Sequence, residues 1–117
     1  MRKQSFSKAQ WIRKRAQFKA VSGTRLTANK GPLLLLIKPN ELLYPRLGLA
    51  IAKKQVKLAV QRNQIKRFAR ESFRQHNSSL PCVDMILLVR KRINEIDNKE
   101  LHQCLESVWQ QLIKQVR

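Results

Sequence analysis

Cations recur every four residues between positions 62 and 74, within a stretch of helical periodicity. At about 100° per residue, these cations and one asparagine fall within an arc of roughly 140°, and apolar residues occupy the other side. The members of this basic face are Arg62, Asn63, Lys66, Arg67, Arg70 and Arg74. Like charges at this spacing destabilise an isolated helix, so the pattern is unfavourable unless a polyanion neutralises it. Arginine suits that task because its guanidinium can bind two phosphate oxygens at once.

Asn63 stands among these cations as an uncharged side chain that both donates and accepts hydrogen bonds, which suits a 2′-hydroxyl or a base edge. Arginine also stacks on bases, and its excess over lysine on this face favours structured RNA. Two alternatives stay open: a helix bound in a DNA groove, and a solvated face whose cations pair with acids. The second has little support, because Glu71 is the single acid of the stretch.

The charge of the whole chain also favours a polyanionic partner. The 117 residues include 25 Lys and Arg against 7 Asp and Glu, a formal net charge of +18. Residues 1–74 hold 19 of these basic residues and only two acids, Glu41 and Glu71. A phosphate backbone is the commonest partner that turns such repulsion into binding free energy, and an anionic membrane surface is the main competitor. A hydrophobic content of 43% with few Gly and Pro residues indicates a folded domain, not a disordered basic tail.

Short elements of alternating type predict the fold class: an α+β two-layer sandwich in which a small mixed sheet packs with about three helices, in the order α-β-β(-β)-α-β-α. The predicted elements are a first helix within residues 8–22, strands over 33–37, 46–52 and 83–89, a helix over 57–76 and a final helix after Asp97. Residues 29–32 are predicted to form a polar turn, and the optional strand is not placed. Leu58 is predicted to pack on the core side of the basic helix.

The final helix has a clear beginning and one apolar face. Asp97 and Glu100 have the spacing of an N-cap with a reciprocal acid three residues later. The stripe predicted to pack on the sheet consists of Leu101, Leu105, Val108 and Leu112.

Several function classes are excluded by what the sequence lacks. Its apolar runs are far shorter than the roughly 18 residues that span a bilayer, and no secretory signal follows the N-terminus, so we expect a cytoplasmic protein. The residues that could bind a metal ion or act as a nucleophile include His76, His102, Cys82 and Cys104. They do not have zinc-site spacing, and neither histidine has an evident acid partner, so no catalytic residue, metal site or bound cofactor is expected. The length fits a single domain over residues 1–117, with residues 1–7 as a flexible basic tail.

Three segments around the basic helix resemble one family closely. They read RLGLAIAKK over residues 46–54, AVQRNQIKR over residues 59–67 and RESFR over residues 70–74. Together they resemble the bacterial ribonuclease P protein component, whose signature is an Arg-Asn pair followed by Lys-Arg and a further Arg on one helix. Weaker likeness extends over residues 15–18 and 83–91 and the final helix, so effectively the whole chain is covered.

The resemblance implies a subunit of an endoribonuclease that removes the 5′ leader of precursor tRNA. The RNA subunit would carry the catalysis with bound Mg²⁺, and the protein would supply no catalytic side chain. The basic face, together with Lys53 and Lys54, would dock on the catalytic RNA. The first helix and the sheet would form a cleft for the leader, with Phe18 stacking on a base and Arg15 and Lys19 beside it.

The chain departs from the family pattern at two positions. Ser22 stands where a second cleft aromatic is common, and Gln64 stands where a basic residue is common. Three other readings stay open: a general or ribosome-associated RNA-binding protein of similar fold, a nuclease that acts without RNA, and a membrane-active basic protein. The resemblance favours ribonuclease P RNA and precursor tRNA as partners, with no DNA or membrane partner.

Overall fold

The computed structural model describes residues 12, 19–21, 23–24 and 26–115. Its elements are β1 (Leu26–Lys30), β2 (Leu33–Pro39), β3 (Arg46–Ala50), α1 (Ala59–His76), β4 (Val83–Val89), a short 3-10 helix (Lys91–Glu95) and α2 (Asn98–Gln115). Residues 19–21 are helical and belong to the predicted first helix. Arg15, Phe18 and Ser22, which bear on the predicted cleft, lie outside the described residues. The predicted tail over residues 1–7 lies outside them as well.

The four strands in the described part of the chain form a mixed sheet in the order β1-β2-β4-β3. β2 pairs antiparallel with β1 and with β4, whereas β3 pairs parallel with β4. A turn at Gly31 and Pro32 joins β1 to β2, and Gly31 has a φ of +55°, a left-handed conformation that favours glycine. Parallel neighbours need a long crossover, and α1 lies in the connection from β3 to β4. The predicted α+β class is confirmed.

One face of the sheet forms the core with α1 and α2. Leu33, Leu35 and Ile37 of β2 are fully buried on this face, and Leu34 and Leu36 between them are half-buried on the opposite face. The predicted stripe of α2 is confirmed, because all four of its members are buried in the same cluster: Leu101, Leu105, Val108 and Leu112. The N-cap role predicted for Asp97 is confirmed as well, since the Glu100 amide donates to Asp97 Oδ1 at 2.8 Å.

The structure corrects several predicted boundaries. Asn29 and Lys30 end a strand that the sequence left unplaced, and the turn is confined to the next two residues. The sequence LTANK does not identify this strand, because Ala28 is its only buried residue and no apolar alternation results. β3 ends at Ala50 instead of residue 52, and α1 begins at Ala59 instead of residue 57. Leu58 has extended backbone angles before α1, which leave its side chain 60% exposed instead of packed.

The outer edge of β1 is covered by glutamine side chains of α2. Gln111 Oε1 accepts a hydrogen bond from the Asn29 amide at 3.1 Å, and its Nε2 donates to the Asn29 carbonyl at 2.8 Å. Gln115 Nε2 donates to the Thr27 carbonyl at 2.6 Å. The side-chain amide of Gln111 thus makes the pair of hydrogen bonds that the peptide groups of a further strand would make. An exposed strand edge is a template for pairing with another chain, so these contacts shield the sheet.

Replacing Gln111 with alanine is expected to lower the free energy of unfolding by about 1 kcal/mol. The reason is that the amide and the carbonyl of Asn29 lose their hydrogen bonds to Gln111 and bond to water instead. Self-association at high protein concentration is expected to rise as the edge opens. Urea denaturation and sedimentation velocity measure the two effects. Gln110→Ala is the matched control, since Gln110 is the exposed neighbour on α2. Identical behaviour of the two variants would contradict the prediction.

Candidate nucleic-acid interface

The predicted basic face is present on α1, on the side of the helix adjacent to its core residues. Ala69, Ser72 and Phe73 are the buried residues of this helix. The six members of the face are all exposed or half-buried: Arg62, Asn63, Lys66, Arg67, Arg70 and Arg74. The apolar periodicity of the same helix fixes its orientation, so the cations are held at the surface by the packing behind them.

Arg62 also organises the turn that precedes α1. Its Nη1 donates hydrogen bonds to the carbonyls of Val56, at 2.8 Å, and Lys57, at 2.9 Å. The segment before these residues is a turn that carries Lys53 and Lys54, both exposed. Arg62 therefore ties this lysine-bearing turn to the basic face. Sequence reasoning assigned Arg62 only to RNA contact, because the two carbonyls become neighbours only once the turn has folded.

Arg74, at the C-terminal end of the face, pairs with Glu71. Its Nε donates to Glu71 Oε2 at 3.2 Å, and its Nη2 donates to Glu71 Oε1. The hydrogen bond and the charge of Arg74 lower the pKa of the Glu71 carboxyl. Because Glu71 is the single acid of α1, the positive charge of the helix is concentrated toward its N-terminal two-thirds, next to the lysine-bearing turn.

The opposite face of the sheet offers a shallow apolar surface. A depression of about 450 Å³ lies along it, and Leu34, Leu88, Ala50 and Arg90 are among its lining residues. The end of the first helix lies near this face, since Lys38 Nζ donates to the Ala20 carbonyl at 3.3 Å. Lys19 is exposed there. The positions of Phe18 and Arg15 relative to this surface lie outside the described residues.

Asp84 is held by a polar network at the other end of the same sheet face. Arg46 Nε donates to its Oδ1 at 2.7 Å, and Asn40 Nδ2 donates to the same oxygen at 2.9 Å. Burial alone would raise the pKa of Asp84, but hydrogen bonds from Arg46 and Asn40, with the charges of Arg46 and Lys38, lower it overall. Asn40 also contacts the backbone of residues 42 and 44, so the network fixes the loop before β3.

Because the pKa of Asp84 is lower in the folded protein, the ionised carboxylate stabilises the fold above its unfolded pKa of about 3.9. That contribution is lost as the pH falls through the folded value. Asp84→Asn is expected to cost about 1 kcal/mol at pH 7, and the gap to wild type is expected to narrow as the pH falls from about 4 through the lower pKa of the folded protein. Urea unfolding as a function of pH tests this. A gap that stays constant across the acid range would contradict the assigned role of the charge.

The histidines and cysteines do not assemble a catalytic or metal centre in the described part of the chain. No three His, Cys, Asp or Glu side chains are grouped there so as to hold a metal ion. The expectation that neither histidine has an acid partner was wrong, because His76 Nε2 lies 2.8 Å from Glu106 Oε2. The two residues are 30 positions apart and meet where α1 ends beside α2. Burial raises the pKa of the Cys104 thiol, which makes that thiol a poor nucleophile.

None of the helices within the described ranges is long and apolar enough to cross a membrane.

Comparison with known proteins agrees with these features. The model of the Ribonuclease P family matches residues 6–113. The ribonuclease P protein component of Pseudomonas putida strain GB-1 is 45% identical over 113 residues, which cover 95% of this chain and 84% of that protein. The corresponding protein of Chromohalobacter salexigens is 48% identical over 85 residues, which cover 73% of this chain and 66% of that protein.

Solved structures show the same fold. The RNase P protein of Staphylococcus aureus superposes with a TM-score of 0.81 at 30% identity, covering 88% of this chain and 94% of that one. The RNase P protein of Thermotoga maritima gives a TM-score of 0.76 at 25% identity, covering 86% of this chain and 94% of that one. With a family model that spans nearly the whole sequence, the chain belongs to the ribonuclease P protein component family.

Proposed function

We propose that this chain is the protein subunit of a ribonuclease P that matures the 5′ end of tRNA, and that it binds both the catalytic RNA and the 5′ leader of precursor tRNA. The observation that carries the proposal is an exposed basic face on α1 in a member of this family. The protein acts by neutralising RNA backbone charge and by positioning the precursor tRNA. The RNA subunit carries the catalysis with bound Mg²⁺, and the cytoplasm is the site of action.

The RNA-docking surface comprises the basic face of α1 and the lysine-bearing turn. Phosphates along an RNA backbone fit this surface, because Arg67 and Arg70 are exposed one helical turn apart and Lys53 and Lys54 extend it past the start of α1. Each neutralised phosphate releases condensed counterions. Asn63 lies among the cations, where its amide can read a 2′-hydroxyl or a base edge.

The leader-binding surface is the apolar face of the sheet opposite α1 and α2. Half-buried Leu34 and Leu88 supply an apolar platform, and Lys19, at the end of the first helix, supplies a cation on the same side of the sheet. Phe18 and Arg15 precede Lys19 in the sequence and complete the proposed surface. A single strand suits it, since unstacked bases can lie on apolar and aromatic side chains while cations track the backbone.

Two separate surfaces would let such a subunit lower the requirement for Mg²⁺. One surface anchors the protein to the catalytic RNA, and the other holds the leader on the far side of the sheet. Both neutralise backbone charge that magnesium ions would otherwise have to screen. The protein therefore strengthens substrate binding without entering the chemical step.

The test is 5′ processing of a precursor tRNA by a bacterial ribonuclease P RNA at low Mg²⁺, with and without this protein. Cleavage at the mature 5′ end is expected only when protein and RNA are both present. Protein alone is the control for a nuclease that acts without RNA. If the protein binds the RNA without restoring cleavage, the proposal fails and a general RNA-binding role takes its place.

A further inference from the structure

A second groove lies on the helical side of the molecule, away from the sheet face that we assign to the leader. It has a volume of about 220 Å³ and is bounded by the N-terminal half of α1, the 3-10 helix and the start of α2. Its floor is apolar: Val56, Ile93 and Leu101 line it and are at most 4% exposed. None of the proposed RNA-docking or leader contacts uses it.

Primary amides surround this floor. Gln61 and Gln64 of α1, Asn94 of the 3-10 helix and Asn98 of α2 all line the groove, and all four are exposed. Asn94 Nδ2 donates to the Gln55 carbonyl at 2.9 Å, which fixes this amide at the rim. A side-chain amide presents both a donor and an acceptor, so the rim can satisfy either kind of group on a ligand.

The charge of the described lining does not favour a phosphate as the occupant. Among the side chains that the structure describes, the lining includes no lysine or arginine, and Asp97 is its one charged residue. The Asp97 carboxylate accepts the Glu100 amide at 2.8 Å and so caps α2. An anionic group inside the groove would meet this carboxylate. A neutral ligand with apolar faces and a polar edge fits instead.

The size and place of the groove narrow the ligand to one chemical class. Pockets for drug-sized ligands span about 300–1,000 Å³, so this groove has room for a single small ring system. Gln64 on its rim precedes Arg67 by three residues, and residues at that spacing are neighbours on a helix surface. A strand whose phosphates lie on Arg67 can therefore place a base in the groove.

We propose that the groove binds one unpaired nucleobase of the RNA docked on α1. The ring lies on the apolar floor, and its hydrogen-bonding edge meets the amides of Gln64 and Asn98. This adds a base-reading site to a surface that otherwise contacts the backbone, and it rests on the proposed docking of α1 on ribonuclease P RNA.

The experiment compares Gln64→Ala, Asn98→Ala and the double variant with wild type in complex with a bacterial ribonuclease P RNA. Base-specific reagents such as dimethyl sulfate report the Watson–Crick edge of each unpaired base, and hydroxyl radicals report the backbone. In wild type one unpaired base is expected to be protected. In the variants that base is expected to become reactive while backbone protection persists, and affinity is expected to fall roughly fivefold for each amide.

Gln103→Ala is the matched control, because Gln103 is an exposed glutamine of α2 that does not line the groove. The groove variants change exposed side chains, so urea unfolding should show folds as stable as that of the control. Unchanged affinity and base reactivity in the groove variants, with wild type still restoring cleavage, overturn the groove assignment and leave the proposed function intact. If wild type neither binds the RNA nor restores cleavage, both proposals fail.

Discussion

Arg62→Ala is expected to weaken binding of ribonuclease P RNA by roughly 100-fold, against roughly 10-fold for Arg67→Ala. A lost charge-assisted contact to phosphate accounts for about 1.5–3 kcal/mol in either variant. Arg62 loses more because its Nη1 also holds the carbonyls of Val56 and Lys57. Without that anchor, the turn carrying Lys53 and Lys54 must be ordered when RNA binds, at an entropic cost. Equilibrium binding at one fixed salt concentration measures the difference.

Double variants of Arg62 and Lys53 separate the contact of Arg62 with phosphate from its anchoring of the turn. Lys53→Ala is expected to weaken binding less in an Arg62→Ala background than in wild type, because the lysine is already displaced. In an Arg67→Ala background the effect of Lys53→Ala should be unchanged. A random structured RNA serves as the specificity control, and losses on it should be smaller than on the ribonuclease P RNA. Full additivity of Arg62→Ala with Lys53→Ala would contradict the anchoring role.

The basic face could be predicted from sequence because it depends on a local rule. Helical periodicity places residues i, i+3 and i+4 on one side, and the buried positions Ala69 and Ser72 confirm which side is the core. The role of Arg62 in holding the turn could not be predicted, since it depends on the conformation of residues 53–57. Leu58 was predicted wrongly for a related reason: periodicity alone does not show where a helix begins.

Contacts between distant segments account for most of what the sequence did not reveal. β1 has one buried residue and little alternation, and it is a strand because β2 pairs with one edge and Gln111 covers the other. The contact between His76 and Glu106 joins residues on two helices whose crossing no local pattern specifies. The amide groove likewise combines residues from three elements. Its members are unremarkable in the sequence because exposed Gln and Asn are common.

Trp109→Ala is expected to lower the free energy of unfolding by about 3–5 kcal/mol, a large share of the roughly 5–15 kcal/mol that stabilises a typical domain. The indole is fully buried between the helices and the sheet. Its ring centroid lies 6.0 Å from that of Phe73 at an interplanar angle of 56°, and its Nε1 donates to Ser72 Oγ at 2.7 Å. Removing the side chain loses all three contributions, and urea denaturation measures the sum.

Trp109→Phe separates packing from the hydrogen bond. The phenyl ring keeps most of the aromatic contact, but the hydroxyl of Ser72, a residue that is 4% exposed, loses its donor at a cost of about 1–3 kcal/mol. Gln110→Ala, at the exposed neighbouring position, is expected to leave stability unchanged. Because Ser72 and Phe73 form the buried side of the helix that carries the basic face, the same losses should weaken RNA binding only at temperatures where the fold begins to melt. An affinity loss in Trp109→Phe at temperatures well below its melting transition would show that the indole positions the basic face beyond holding the fold together.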